Sequence, residues 1–187
     1  MVAGKQMTTF EFVSVLLSIV VSLAFTHLLT GVARLIQARR VRFSLLYAGW
    51  IGLFLFSCVD FWFSLWQARA TETWSLGFVI FWLLLATMLY ITAWLAIPGE
   101  IADGADLPAF HDSNRRRYAG AFFIYMGVGL VGNLMIASLQ LAALLSLLLM
   151  MLIAGAWAWR DRRVQFAMLG LLYVAVGWYA LNFIPEL

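Results

Sequence analysis

The sequence predicts an all-α, polytopic integral membrane protein, built as a compact bundle of six transmembrane helices. Three observations predict this class. Hydrophobic residues make up 65% of the 187-residue chain and charged residues only 11%, against about 25% charged residues in typical soluble domains. Six segments stay apolar over the roughly 20 residues that a membrane helix needs. The arginines, finally, are concentrated in alternate connections between those segments.

The six predicted spans belong to one membrane domain, residues 1–187, and lie at approximately 12–33, 43–66, 74–97, 118–139, 141–159 and 164–184. Each run is about twice as long as a membrane β-strand, which favours helices over a barrel. Ionisable side chains interrupt only two of them, His27 in the first and Asp60 in the second. The longest connection, 98–117, is predicted to be a cytoplasmic loop, because Pro98 and Gly99 should end the third helix. The connection between the fourth and fifth helices is the shortest.

The first span is predicted to be an uncleaved helix, because its positive cluster at 34–42 follows the apolar run, whereas a signal peptide carries its charge in front. Residues 34–42, 98–117 and 160–163 hold ten of the twelve Lys and Arg residues. By the positive-inside rule, these segments are cytoplasmic and both termini are outside. We therefore expect a multi-pass protein of a bacterial inner membrane with periplasmic termini. The same arginines are expected to contact anionic lipid headgroups rather than nucleic acid.

Asp60 lies inside the apolar, aromatic stretch FSCVDFWFSLW. A carboxylate at mid-membrane costs about 2.5–3.5 kcal/mol on insertion scales, so it should face protein or water rather than lipid. Ser57 and Ser64 share its helix face at spacings of three and four residues. Asp60 is thus a candidate proton or cation site. The competing interpretation is a hydrogen-bonded carboxyl group that only holds helices together.

Three further polar residues are candidates for the same path. Glu11 is expected at its outer mouth, and Asn133 of the fourth helix at about the depth of Asp60. Asn133, a serine or water is the predicted partner of the carboxyl group. At about 1.5 Å of rise per residue, His27 lies about 15 Å from Asp60 in depth, too far for an ion pair. His27 is either a proton relay or cofactor ligand, or a packed, hydrogen-bonded histidine.

Other patterns argue against enzyme chemistry. Residues 127–132, GVGLVG, match a dinucleotide-binding loop, but that motif must follow a strand, so we interpret these glycines as a close helix contact. The acids and histidine of the longest connection show no known ligand spacing; they are Asp103, Asp106, His111 and Asp112. A bis-histidine haem would need His27 from two copies of the chain. We therefore expect no cofactor, no metal and no catalytic site.

The predicted function is that of a small channel or transporter, for ions or protons, that uses an intramembrane carboxylate. Its path would be lined by the first, second and fourth helices, with Asp60 as the essential group and with Glu11, Asn133, His27, Ser57 and Ser64 as further polar positions. A homo-oligomer or a subunit of a membrane complex is expected. Two alternatives stay open: a non-catalytic membrane subunit or scaffold of a larger complex, and a membrane-embedded protein that binds a quinone, lipid or cofactor.

Overall fold

The computed structural model describes residues 8–71, 73–135 and 140–183. These residues form six long helices and one 3-10 turn, Ala68–Ala70. The helices are α1 (Thr9–Gln37), α2 (Leu45–Gln67), α3 (Leu76–Ala96), α4 (Leu107–Met135), α5 (Gln140–Ala158) and α6 (Arg162–Phe183). All six are long and apolar enough to cross a membrane. The predicted fold class is confirmed: the chain is a multi-pass, all-α membrane protein.

The first N–H groups of a helix have no acceptor within the helix, and side chains at the helix starts accept from them instead. Thr8 and Glu11 form a capping box at α1, in which each side chain accepts from the other residue's N–H. Ser44 accepts from Tyr47 N at the start of α2, and Asp106 accepts from Ala109 N at the start of α4. Glu11, predicted at the mouth of a path, thus has a local role in starting α1.

Helix α4 begins well before the predicted start of the fourth span at residue 118. Its first three turns occupy the second half of the segment predicted as a loop, 98–117. Hydropathy marks only the lipid-facing length of a helix, and residues 108–117 are mostly polar, so the prediction missed them. Leu107, His111, Arg115 and Tyr118 are nevertheless all buried at helical spacing. Residues 136–139 and 184, where the fourth and sixth predicted spans end, lie outside the described residues.

The three arginine-bearing connections meet at one end of the bundle, hereafter the arginine-rich end. The backbone of Arg42 donates to Ala105 O at 2.9 Å and accepts from Leu107 N at 3.2 Å. The Arg42 and Asp106 side chains form an ion pair. The third connection joins them through Arg162 and Asp112, whose charged atoms are 3.7 Å apart. This arrangement agrees with the loop charges, although which side of the membrane this end faces remains a prediction.

Aromatic rings fill the interior between α2 and α4. Phe54 packs on Phe122 with centroids 5.0 Å apart and on Tyr118 at 5.7 Å. On the other side of α4, a Cβ placed on Gly132 would come within 2.6 Å of Phe81 Cζ on α3. The expected close helix contact in GVGLVG is therefore present at this glycine. Many large apolar side chains point outward, up to 87% exposed at Leu181, as a lipid-facing surface requires.

Candidate functional site

Asp60 is half-buried on α2, with Tyr125 of α4 and Tyr179 of α6 near its carboxyl group. Its Oδ1 atom is completely enclosed and has no hydrogen-bond partner in the described part of the chain. The carboxyl group is hydrogen-bonded to the hydroxyl of Tyr179 on α6. A buried polar atom without a partner costs about 1–3 kcal/mol, and more when it is charged. The fold therefore tolerates an acid at a position where an apolar residue would pack at lower cost.

Tyr179 links Asp60 to Ser64, one turn further along α2. The tyrosine hydroxyl is hydrogen-bonded to both side chains. Because serine and tyrosine hydroxyls can each donate and accept, Ser64, Tyr179 and Asp60 form a continuous hydrogen-bonded row. This row, hereafter the carboxyl–hydroxyl row, contains two of the residues that the sequence predicted.

Tyr125 of α4 is buried close enough to Asp60, Cys58 and Tyr179 to interact with them electrostatically. It stacks on Phe122, with ring centroids 5.6 Å apart. The aromatic packing continues from Phe122 toward the arginine-rich end. Tyr125 thus lies on the α4 side of the site.

Asn133 does not meet Asp60. Its Nδ2 donates to Ser146 Oγ of α5 at 3.0 Å, and Ser146 donates to the carbonyl of Ala142. Of the three partners predicted for Asp60, Asn133 is therefore wrong, for a reason that lies in the start of α4. Because α4 begins beside Arg42, level with the start of α2, Asn133 lies about 16 Å further along the bundle than Asp60.

His27 lies between α1 and α3, where its ring stacks on Trp94 with centroids 4.6 Å apart and an interplanar angle of 19°. Its Nε2 atom is enclosed and has no hydrogen-bond partner among the described residues. The ring is packed, as one of the two interpretations expected, but Nε2 lacks the hydrogen bond that this interpretation also assumed among the described residues. The structure places no residue of α1 in the carboxyl–hydroxyl row, so α6 takes the place that the prediction gave to the first helix.

The remaining small hydroxyls are satisfied within their own helices or exposed. Ser57 donates to Leu53 O at 2.9 Å, one turn back along α2. Ser14 and Ser18 of α1 bond in the same way to backbone carbonyls, whereas further along α1 Ser22, Thr26 and Thr30 are exposed. Ser57 therefore shares the helix of Asp60 without taking part in its hydrogen bonds.

A second polar cluster, which the sequence did not predict, ties α4 to α5 and α6 at the arginine-rich end. His111 is buried, with Nε2 2.8 Å from Gln165 Oε1 and Nδ1 hydrogen-bonded to Tyr118. Arg115 is 4% exposed and donates to Ala156 O at 2.8 Å and also to Trp159 O. Gln165 Nε2 donates to the same Trp159 carbonyl at 3.0 Å. These groups, hereafter the α4–α5–α6 clasp, hydrogen-bond the C-terminal end of α5 to α4 and α6.

The acids of the longest connection, considered above as metal ligands, face different partners. Asp103 accepts from the backbone N–H of Arg39 at 2.9 Å, Asp106 pairs with Arg42, and His111 belongs to the clasp. No group of three or more histidine, cysteine or acidic side chains comes together within the described ranges.

Tyr179 was the residue of the site that sequence reasoning missed, and a signal for it existed. Helices α2 and α6 both start at the arginine-rich end, at Leu45 and Arg162. Counted from those starts, Asp60 and Tyr179 differ by only about 3 Å in depth. A depth comparison across all helices that run in the same direction would have made Tyr179 a candidate.

Comparison with known proteins gives no match: no family model fits the chain, and no curated protein and no solved structure is significantly similar to it. The functional interpretation therefore depends on the site itself.

Proposed function

We propose that the protein carries protons across its membrane, as a small channel or transporter, with Asp60 as the group that gains and loses the proton. One observation carries this proposal: Asp60 Oδ1 is enclosed by the bundle without a hydrogen-bond partner among the described residues. Ionisable groups in membrane helices are expensive and are characteristic of ion and proton pathways. A purely structural hydrogen bond between α2 and α6 would not need a carboxyl group.

A proton suits this site better than a metal cation. Calcium, for example, takes six to eight oxygen ligands, whereas one hydroxyl of the described residues, that of Tyr179, is hydrogen-bonded to this carboxyl group. Protons need only a row of groups that donate and accept. Ser64 donates to Tyr179 and Tyr179 to an ionised Asp60; rotation of the hydroxyls reverses the row when Asp60 holds the proton. The row thus supports proton exchange toward the end of α2 that lies away from the arginines.

The proposal is tested with purified protein in vesicles, by measuring proton entry driven by a potassium diffusion potential. Asp60→Asn keeps the shape of the side chain but cannot release a proton at ordinary pH, so we expect flux to fall to that of protein-free vesicles. Tyr179→Phe should reduce the flux by breaking the row. Asp112→Asn is the matched control, because it removes a half-exposed carboxylate outside the row and should leave flux unchanged. Equal flux from the wild type and Asp60→Asn would refute the proposal.

The subunit alternative has one observation of its own in its favour. Ser22, Thr26 and Thr30 form an exposed line along α1, and small hydroxyl residues are enriched where membrane helices pack together. If the wild type gives no flux and purifies with a stoichiometric partner, the non-transporting subunit is the better interpretation.

A further inference from the structure

Two connected openings lie between α2 and α6 at the arginine-rich end. The first is a cavity of about 160 Å³ among the first residues of α2, α4 and α6. The second is a groove of about 450 Å³ that continues between α2 and α6. Leu45 and Phe166 line both of them. The two volumes therefore form one site with a head and a tail, hereafter the head cavity and the tail groove.

The head cavity is suited to an anion. Arg162 and His111 line it together with Ser44, and the Arg162 side chain is 62% exposed. Its contact with Asp112, at 3.7 Å and half-exposed, belongs to a class of pairs that contribute little to stability, so the guanidinium can bind another anion. Helix α2 also begins here without an acidic residue in its first turn. Ser44 caps one N–H of this end, but no carboxylate in the first turn offsets the positive end of the helix dipole.

The tail groove is apolar and has room along α6. Ala48, Gly49, Leu169 and Gly170 line its walls, and at Gly170 an added Cβ would meet no atom within 4 Å. The groove extends from Phe166 to Tyr173, about 10 Å along α6. The Tyr173 hydroxyl donates a hydrogen bond to Gly49 O at 2.8 Å. The polar side-chain group at the far end of the groove is therefore already hydrogen-bonded.

We propose that this site binds one anionic phospholipid, with the phosphate in the head cavity and one acyl chain in the tail groove. The order of chemistry along the site matches the order within the lipid: a cationic side chain and a helix N-terminus first, then an uncharged apolar channel. A free phosphate would leave the groove empty. A peptide would bring backbone polar groups into a groove that offers them almost no partner, which is costly. The proposal is independent of proton transport.

Binding is measured by native mass spectrometry of the full chain in detergent, titrated with phosphatidylglycerol and, separately, with zwitterionic phosphatidylcholine of the same acyl chains. We expect one phosphatidylglycerol to bind more tightly than phosphatidylcholine, and glycerol phosphate without acyl chains not to displace it. Equal affinity for the two lipids would overturn the role of the head cavity. Displacement by glycerol phosphate alone would overturn the role of the groove.

Gly170→Leu tests the tail groove by filling it. The new side chain enters open space, so the fold should persist, and phosphatidylglycerol should bind about tenfold more weakly, as for the loss of roughly two buried methylenes. Gly177→Leu is the matched control, two turns further along the same exposed side of α6 and likewise free of neighbours within 4 Å. Equal affinities of the two variants would contradict the proposal. The proposal would also be contradicted if the wild type and Gly177→Leu were dimers and Gly170→Leu were a monomer. The groove would then hold a second copy of the chain and not a lipid.

Arg162→Gln tests the head cavity. Near an anionic surface one arginine accounts for about a fivefold change in affinity, so this variant should lose about fivefold for phosphatidylglycerol and little for phosphatidylcholine. Arg163→Gln removes the neighbouring exposed charge and should preserve the preference. Asp112→Asn should strengthen phosphatidylglycerol binding, since it removes the competing carboxylate. If Arg162→Gln and Arg163→Gln behave alike, the preference comes from the overall charge of this end, and the assigned site is wrong.

Discussion

The α4–α5–α6 clasp and the carboxyl–hydroxyl row are both polar clusters inside an apolar bundle, but their hydrogen bonding differs. In the clasp, both ring nitrogens of His111 have partners and Arg115 reaches two backbone carbonyls. Within the described part of the chain, Arg115 Nη2 is the one clasp nitrogen that is enclosed without a partner. At Asp60, by contrast, one of the two carboxyl oxygens has none among the described residues. A cluster whose bonds join three helices contributes to the fold, whereas an acid left half-satisfied inside an apolar helix bundle needs a functional explanation.

The largest effect on stability is expected in the clasp. Arg115→Ala removes two charge-assisted hydrogen bonds and leaves the Ala156 carbonyl without its side-chain donor, while Trp159 O keeps only Gln165. The free energy of unfolding should therefore fall by about 3 kcal/mol. The exposed Arg117→Ala, two residues along the same helix, should change it by less than about 0.5 kcal/mol. Denaturant unfolding of both variants in detergent measures the difference. Similar unfolding curves would show that the clasp does not hold the end of α5 in place.

A smaller effect, dependent on pH, is expected at the junction of the arginine-bearing connections. The backbone N–H of Ala109 and then the charge of Arg42 lower the pKa of Asp106 in the folded protein. The ionised form is therefore favoured by folding, and its contribution to stability is present above the ordinary pKa of about 4. It is lost as pH falls through the lowered folded value. Asp106→Asn should consequently show a weaker acid dependence of unfolding than the wild type; identical profiles would contradict this assignment.

The sequence predicted which segments are helices better than it predicted where each helix ends and which helices contact each other. Six apolar runs and the clustered arginines identify the fold class, because a bilayer selects for continuous apolar length. The start of α4 escaped hydropathy, since His111 and Arg115 are polar yet buried. Their spacing with Leu107 and Tyr118 on one helical face was the available signal.

The sequence predicted the central residue of the candidate site, but not the residues that surround it. Asp60 could be singled out because an acid is costly in lipid, and Ser64 because it shares a helix face with that acid. Which helix faces Asp60 depends on how the helices are arranged around the bundle, and periodicity within one helix carries no information about that. For this reason Asn133 was paired with the wrong group, and Tyr179 was missed.

The contrast between the two clusters is tested most directly by Asp60→Leu, with proton flux and unfolding measured on the same preparation. Leucine has the same branching as aspartate and removes a half-satisfied polar group. Tyr179 keeps its hydrogen bond to Ser64, so the substitution does not leave the tyrosine hydroxyl buried without a partner. We expect the variant to unfold at the same denaturant concentration as the wild type, or higher, and to lose its proton flux. A variant that unfolds more readily while still conducting protons would show instead that Asp60 serves the fold, and would contradict the account.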